Sequence, residues 1–205
     1  MEKVFELFAP QENFVVSVAQ IVFHSSSMSH ETPSILKSQL RKMLRREARS
    51  GDSEAVRNAV ADWIRRHPQV HTIATFAALP DEVDLTELVT LFPEKRWLFP
   101  RVDGDRVCFH ATADPANDLV RGAFGILEPR ADSATVPLDE IDAFLCPGMA
   151  FDHSGGRLGR GKGYYDRLLS QARTDAHKIG IAFPSQIVPT THCEPHDILM
   201  DEIIS

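Results

Sequence analysis

The chain is poor in several features that would assign it elsewhere. Its 205 residues include three cysteines, Cys108, Cys146 and Cys193, an odd number with no C-x-x-C spacing. That excludes a disulfide framework and offers zinc no paired ligands, and the tail residues His192, Cys193 and His196 match no common finger spacing. Two of the cysteines sit in apolar runs, where a buried thiol is expected, and free thiols suit a reducing cytoplasm. Basic charge is not in excess: 22 Lys and Arg stand against 29 Asp and Glu, a net charge of −7. A general nucleic-acid binder is therefore not expected, and each basic cluster needs a local explanation. The apolar run from Phe14 to Phe23 is too short to cross a bilayer. Glu2, Glu6 and Glu12 do not resemble the basic start of a signal peptide. With a serine-rich linker at Ser25 to His30, residues 1–30 are expected to form an extension, disordered or not translated, since Met28 offers an alternative start. Residues 31–205 are expected to form one α/β domain, large enough for a substantial core.

What the chain does have is concentrated between Cys146 and Asp166. An apolar run ending at Cys146 is stopped by Pro147-Gly148, as a buried strand entering a turn would be. Gly155, Gly156, Gly159, Gly161 and Gly163 then alternate with Arg157, Arg160 and Lys162. Glycine allows close approach to the backbone, successive amides form an anion-binding nest, and the basic side chains add full charges. Tyr165, Leu168, Leu169 and Ala172 then follow helical spacing, so the loop leads into a helix N-terminus. Strand, glycine-basic loop and helix together predict a phosphate site. It is not a P-loop: Gly163 follows Lys162 where that motif requires a hydroxyl for Mg²⁺.

Before the loop, Ile35 to Arg49 predicts an amphipathic helix, with Leu36, Leu40, Met43, Leu44 and Ala48 on one face. Lys37, Arg41, Lys42, Arg45, Arg46 and Arg49 form its opposite, basic face. An RNA-binding use of that face lacks the aromatic platforms it would need. Asp52 or Ser53 caps a second helix with a core stripe of Val56, Val60, Trp63 and Ile64. Val70 to Phe76, Arg96 to Val102, Arg106 to His110, Ile141 to Cys146 and Lys178 to Phe183 predict strands. A short helix carries Leu85, Leu88, Val89 and Phe92, and Thr112 to Arg121 reads as polar loop or irregular helix. Strands alternating with helices predict an α/β sheet covered on both faces. The acids Glu82 and Asp84 stand before a helix, where dipole partnership alone would account for them.

The segments Pro147-Gly-Met-Ala-Phe-Asp152 and Arg157-Leu-Gly-Arg-Gly-Lys-Gly-Tyr-Tyr-Asp-Arg-Leu-Leu169 resemble the signature of the 5-formyltetrahydrofolate cyclo-ligase (5,10-methenyltetrahydrofolate synthetase) family. The resemblance extends from about Ser34 to the C-terminus and is weaker before Leu79. Phe99 to Val102 and Phe124 to Pro129 also resemble family segments, with Phe124 in place of a tyrosine. The resemblance implies a three-layer αβα sandwich of the ribose-5-phosphate isomerase/CoA-transferase type. It implies ATP-dependent closure of 5-formyltetrahydrofolate to the 5,10-methenyl form, with Mg²⁺ as cofactor and no protein nucleophile.

Carried over residue by residue, the resemblance implies that Lys37, Ser38, Gln39, Leu40 and Arg41 contact ATP. Arg157, Leu158, Gly159, Arg160, Gly161, Lys162, Gly163, Tyr164 and Tyr165 would do the same. Leu79, Glu82 and Asp84 would hold the folate, together with the stretch from Arg160 to Tyr164. Arg160, Lys162 and Tyr164 would be catalytic, and Asp166 and Asp197 would hold Mg²⁺, with Asp201 left open as a further ligand. The expected partners are the two substrates alone, with no nucleic acid or membrane, acting on a monomer. The competing reading is another ATP-using small-molecule kinase or a nucleotide-binding regulator, which would keep the loop but have no need of the segment from Leu79 to Asp84.

Overall fold

The computed structural model describes residues 31–46, 51–104, 106–122 and 125–205. Phe124, Ala48, Arg49 and the N-terminal extension lie outside the described residues. The chain divides into two units, Met1–Thr32 and Pro33–Ser205, and the second carries every element below.

That unit is a mixed sheet of seven strands in the order β11-β10-β7-β1-β2-β3-β6. Its centre is parallel: β1 (Thr72–Ala74) lies between β2 (Arg96–Asp103) and β7 (Ala143–Cys146), and β10 (His177–Ile181) and β11 (Glu202–Ile204) continue outward from β7. On the other side β3 (Arg106–Ala111) and β6 (Thr135–Val136) run antiparallel. Two small ribbons, β4 (Leu119–Arg121) with β5 (Leu127–Pro129) and β8 (Ala150–Phe151) with β9 (Arg157–Leu158), stand outside this sheet.

A central parallel strand is covered on both faces, which is why β7 is apolar throughout. Ala143 and Leu145 join one core and Phe144 and Cys146 the other. The first core receives the stripe Val56, Val60, Trp63 and Ile64 of α2 (Ser53–Arg66), with Leu88 and Val89 of α3 (Glu87–Leu91). The second receives Phe109, Phe151 and, from α5 (Tyr164–Leu169), Leu168 and Leu169. The sheet is thus an α/β layer with helices on both faces. A third, smaller cluster seats α1 (Pro33–Leu44) through Leu44, Leu40 and Met43 on Met149, Ala150, Leu158 and Val188 of the β8–β9 region.

Several elements differ in extent from the sequence reading. β1 is shorter than the run Val70 to Phe76, whose ends are buried but leave the ladder. The stretch from Thr112 to Arg121 contains a four-residue helix, α4 (Pro115–Asp118), and then pairs as β4. Helix α5 has only six residues. The Ser170 hydroxyl donates to the Arg167 carbonyl at 2.9 Å, a local bond that competes with further helix. The basic face of α1 is also split: Lys37 is buried and Arg41 half-buried, whereas Lys42, Arg45 and Arg46 are exposed. The loops that matter leave the carboxyl ends of β1 and β7, where open parallel sheets hold their ligands.

Candidate functional site

The site begins with a carboxylate that the sequence reading did not single out. One oxygen of Asp152 accepts the amides of Ser154 at 2.9 Å and Gly156 at 3.1 Å, closing the β8–β9 turn. Its other oxygen takes the Thr191 amide and hydroxyl, each at 2.7 Å. Burial raises this carboxyl, but the four donors outweigh it and hold Asp152 below the usual carboxylate range. Gly155 has φ 84°, and a Cβ there would stand 2.5 Å from the Met200 carbonyl oxygen; at Gly156 it would stand 2.2 Å from Thr191 Oγ1. These two glycines serve the hairpin and its docking. The phosphate-type loop is therefore narrower than the glycine run suggests, and an Asp followed by a turn glycine was the signal for the difference.

The loop proper runs from Gly159 to Gly163. Gly161 and Gly163 take φ 97° and 65°, values that favour glycine. Arg41 crosses the loop, its Nε donating to the Gly159 carbonyl at 2.8 Å. Among the described residues, nothing accepts the amides of Arg160, Gly161 or Lys162. Lys162 is exposed and makes no ion pair with them.

Arg160 points elsewhere than its neighbour. Its guanidinium meets Asp81 Oδ1 at 2.6 Å and Glu82 Oε1 at 3.1 Å. Burial pushes the Glu82 carboxyl up, and the Leu79 amide, 3.1 Å from Oε2, and Arg160 only partly offset this. Asp84 caps the turn into α3, accepting the Thr86 amide at 2.9 Å and its hydroxyl at 2.6 Å. Leu79, Glu82 and Asp84 line one side of a cleft of ≈ 570 Å³, which Leu119, Leu127 and Phe183 line with apolar surface.

The two aspartates expected at a metal come already paired. Asp197 Oδ2 accepts the Lys37 ammonium and the Glu194 amide, the latter at 2.6 Å, and Lys37 also meets Glu194 Oε2 at 3.0 Å. Burial raises the Asp197 carboxyl, but these donors outweigh it and leave it below its usual range. Asp166 Oδ1 accepts from Arg157 at 2.8 Å. Burial and the neighbouring Arg45 lower the Arg41 guanidinium, and the charges of Asp166, Asp197 and Glu194 only partly offset this. Asp201 is engaged at the start of β10, accepting the Lys178 amide at 2.7 Å.

The remaining expected contacts are distributed unevenly. Of residues 37 to 41, Lys37 and Arg41 reach the site; Ser38 and Gln39 are exposed, and Leu40 packs in the small cluster. Leu158 is buried there too. Tyr164 packs under Arg167, 5.4 Å from ring centroid to guanidinium, and Tyr165 under Arg157 at 5.2 Å. Burial pushes the Tyr165 phenol well above its ordinary range.

The α/β sheet thus carries, at its strand ends, a glycine-basic loop and, tied to it by Arg160, an acid-lined cleft. Comparison with known proteins identifies the family. The 5-formyltetrahydrofolate cyclo-ligase family pattern matches residues 29–205. The cyclo-ligase of Escherichia coli K12 is 30% identical over 147 residues, covering 66% of this chain and 78% of that protein. The Mycolicibacterium smegmatis cyclo-ligase is 36% identical over 88 residues, and the chain spans 45% of that relative's length. The solution structure of Aquifex aeolicus 5,10-methenyltetrahydrofolate synthetase superimposes with a TM-score of 0.69 at 34% identity, covering 82% of this chain and 89% of that one. The chain belongs to the 5-formyltetrahydrofolate cyclo-ligase family.

Proposed function

We propose that this protein closes 5-formyltetrahydrofolate to 5,10-methenyltetrahydrofolate at the expense of ATP, releasing ADP and phosphate. The observation that carries the reading is the Arg160 bridge to Asp81 and Glu82, which holds the phosphate-type loop against the acid-lined cleft. A kinase or regulator using the loop alone has no need of that cleft.

The chemistry follows from a leaving-group problem. An amide oxygen does not leave, so the N5-formyl oxygen takes the γ-phosphoryl group as the bond to ADP breaks. The N10 lone pair then attacks the formyl carbon, N10 gives up its proton, and the carbon–oxygen bond breaks with its electron pair leaving on phosphate. Nothing in this sequence requires a protein nucleophile; the protein's contribution is placement and charge. Lys162 and the amides of Arg160 to Lys162 face the phosphoryl oxygens, with Arg41 lying across the loop. Glu82 and Asp84 accept the ring N–H and amino donors of the pterin, and Leu119, Leu127 and Phe183 cover its apolar surface. Tyr164 opens α5 where the loop ends, and we assign it to the junction of the two ligands.

Asp166 and Asp197 are the residues to hold Mg²⁺. Each has one oxygen committed to a basic partner; the second oxygen of Asp166 has no hydrogen bond among the described residues, and that of Asp197 stands 3.8 Å from His196 Nε2. Two hard oxygen donors, with substrate phosphates and water completing the shell, suit magnesium. Among the described residues no three His, Cys, Asp or Glu gather into a protein-only centre. When bound it supplies positive charge on the phosphate oxygens. We propose further that the protein acts as a monomer in the cytoplasm, where free thiols such as those of the described cysteines persist; no described helix is long and apolar enough to cross a membrane.

The test is the appearance of methenyl-folate absorbance when purified protein meets ATP, Mg²⁺ and 5-formyltetrahydrofolate. ATP hydrolysis indifferent to the folate, with no methenyl band, refutes the reading and favours the kinase or regulator.

A further inference from the structure

Arg157 lies within the stretch assigned to ATP, yet its side chain is only 4% exposed. One terminal nitrogen meets Asp166 Oδ1 at 2.8 Å, the other lies 3.4 Å from the Pro147 carbonyl, and the guanidinium sits 5.2 Å from the centre of the Tyr165 ring. Its Nε is buried and has no partner. Gly159 makes room for it: a Cβ there would stand 3.1 Å from an Arg157 terminal nitrogen. A charged side chain enclosed in this way has no face left for a nucleotide. What it does have is a hold on one oxygen of Asp166.

We infer that Arg157 is a positioning residue that acts on metal and nucleotide only through Asp166. Its grip on Oδ1 fixes the carboxylate's rotation, so that Oδ2 is presented to the site. The Tyr165 ring beneath and the Pro147 carbonyl beside it fix the guanidinium in turn. The chain between the two residues is the Gly159–Gly163 loop itself. Partners that orient a metal-binding carboxylate are commonly worth 10–100-fold in metal affinity. The inference rests on reading Asp166 as a metal carboxylate.

The experiment is a double-mutant cycle with Arg157→Met and Asp166→Asn, read by Mn²⁺ titration under electron paramagnetic resonance with a non-hydrolysable ATP analogue present. Nucleotide affinity is measured separately in EDTA, and Arg157→Lys serves as the conservative variant. Arg157→Met is expected to weaken Mn²⁺ binding by about 10-fold or more, with Arg157→Lys recovering part of the loss. The same change made in the Asp166→Asn background should have no further effect, and metal-free nucleotide affinity should be unchanged. The double variant removes both charges of the pair, so it remains informative if Arg157→Met alone does not fold. Three results overturn the inference. A loss of nucleotide affinity in EDTA, or an Arg157→Met effect undiminished in the Asp166→Asn background, shows direct contact with ATP. Unchanged Mn²⁺ binding in Arg157→Met beside a clear loss in Asp166→Asn removes Arg157 from its role and leaves Asp166 in place. Unchanged Mn²⁺ binding in Asp166→Asn itself overturns the metal assignment and the inference with it.

Discussion

Replacing Lys37 with Met tests whether α1 is held to the site by charge. The ammonium reaches Asp197 and Glu194, with side-chain exposures of 7% for Lys37, 11% for Asp197 and 24% for Glu194. Methionine keeps the stem and deletes the charge, leaving two carboxylates near each other in a site largely closed to water. Breaking a buried pair in this way costs about 3–5 kcal/mol; with Glu194 a quarter exposed, the lower end, about 3 kcal/mol, applies here. For a domain of this size that is a fall in melting temperature of roughly 6–12 °C. The effect has a pH signature. Burial raises the Asp197 carboxyl, but Lys37 and the Glu194 amide outweigh it, so the folded-state value lies below the unfolded one. The resulting stability is present above about pH 4 and lost as pH falls through the folded value. For Lys37 burial lowers the value, but Asp197 and Glu194 outweigh it and raise it above its ordinary range. That contribution is complete below about pH 10 and lost as pH rises through the raised value. The gap between wild type and Lys37→Met should therefore be widest from roughly pH 5 to pH 10 and close in acid. Lys37→Met/Asp197→Asn should recover much of the loss, because it no longer buries an unpaired charge. The assay is thermal unfolding followed by circular dichroism across that range. A variant melting within about 2 °C of wild type at neutral pH refutes the ion pair as a stabilising contact, and a gap that persists unchanged at pH 3 shows that packing rather than charge is responsible.

Lys162→Ala should lower kcat by about 10²–10³ with no change in melting temperature, since an exposed cation facing transition-state charge acts on rate alone; near-normal turnover at saturating ATP removes Lys162 from its role. Arg160→Ala should lower kcat and also raise KM for the folate, because Glu82 loses the cation that partly offsets its burial; steady-state kinetics showing an unchanged folate KM would contradict this. Asp152→Ala should cost at least about 3 kcal/mol in urea unfolding, as it strips acceptors from the Thr191 and Gly156 amides, both buried, and a loss under about 1 kcal/mol would show that the turn closes without it. A chain starting at Met28 should form methenyl-folate at the full-length rate, and a folded truncation without activity would show that the extension contributes to the site.

How much of this was legible in the sequence depended on the range of the interaction. Periodicity found α2, because Val56, Val60, Trp63 and Ile64 pack as one stripe whatever lies opposite them. The apolar run ending at Cys146 identified β7, because a strand buried on both faces has no polar positions to blur it. Lys37 was harder. On charge it belonged with Lys42 and Arg45 on a solvated face, and only its pairing with residues some 160 positions away, |i−j| = 160 for Asp197, turns it inward. The strand ladder was also out of reach of local pattern: β1 contributes only Thr72–Ala74 because its extent is set by registry with Arg96 to Leu98, a tertiary property. Asp152 was missed for the opposite reason. Its local turn was readable from Asp-His-Ser-Gly155, but attention to the glycines as anion ligands hid the plainer role of two of them in the turn.

The pairings at the site also change what each basic residue has left to give. Phosphate recognition read from sequence would spend Lys37, Arg157, Arg160 and Lys162 alike on ATP. In the fold Lys37 answers Asp197 and Glu194, Arg157 answers Asp166, and Arg160 answers Asp81 and Glu82. Each of these cations joins the β8–β9 and loop region, or helix α1, to a different segment of chain, so their first effect is to assemble the site. Lys162 alone of the four carries no such duty among the described residues. In the reaction we propose, charge on the transferring phosphoryl group would therefore fall chiefly to Lys162, to the unaccepted amides of Arg160 to Lys162, and to a cation held by Asp166 and Asp197. Of these four cations three are matched by carboxylates, and Lys162 is the one we propose to act when substrate arrives.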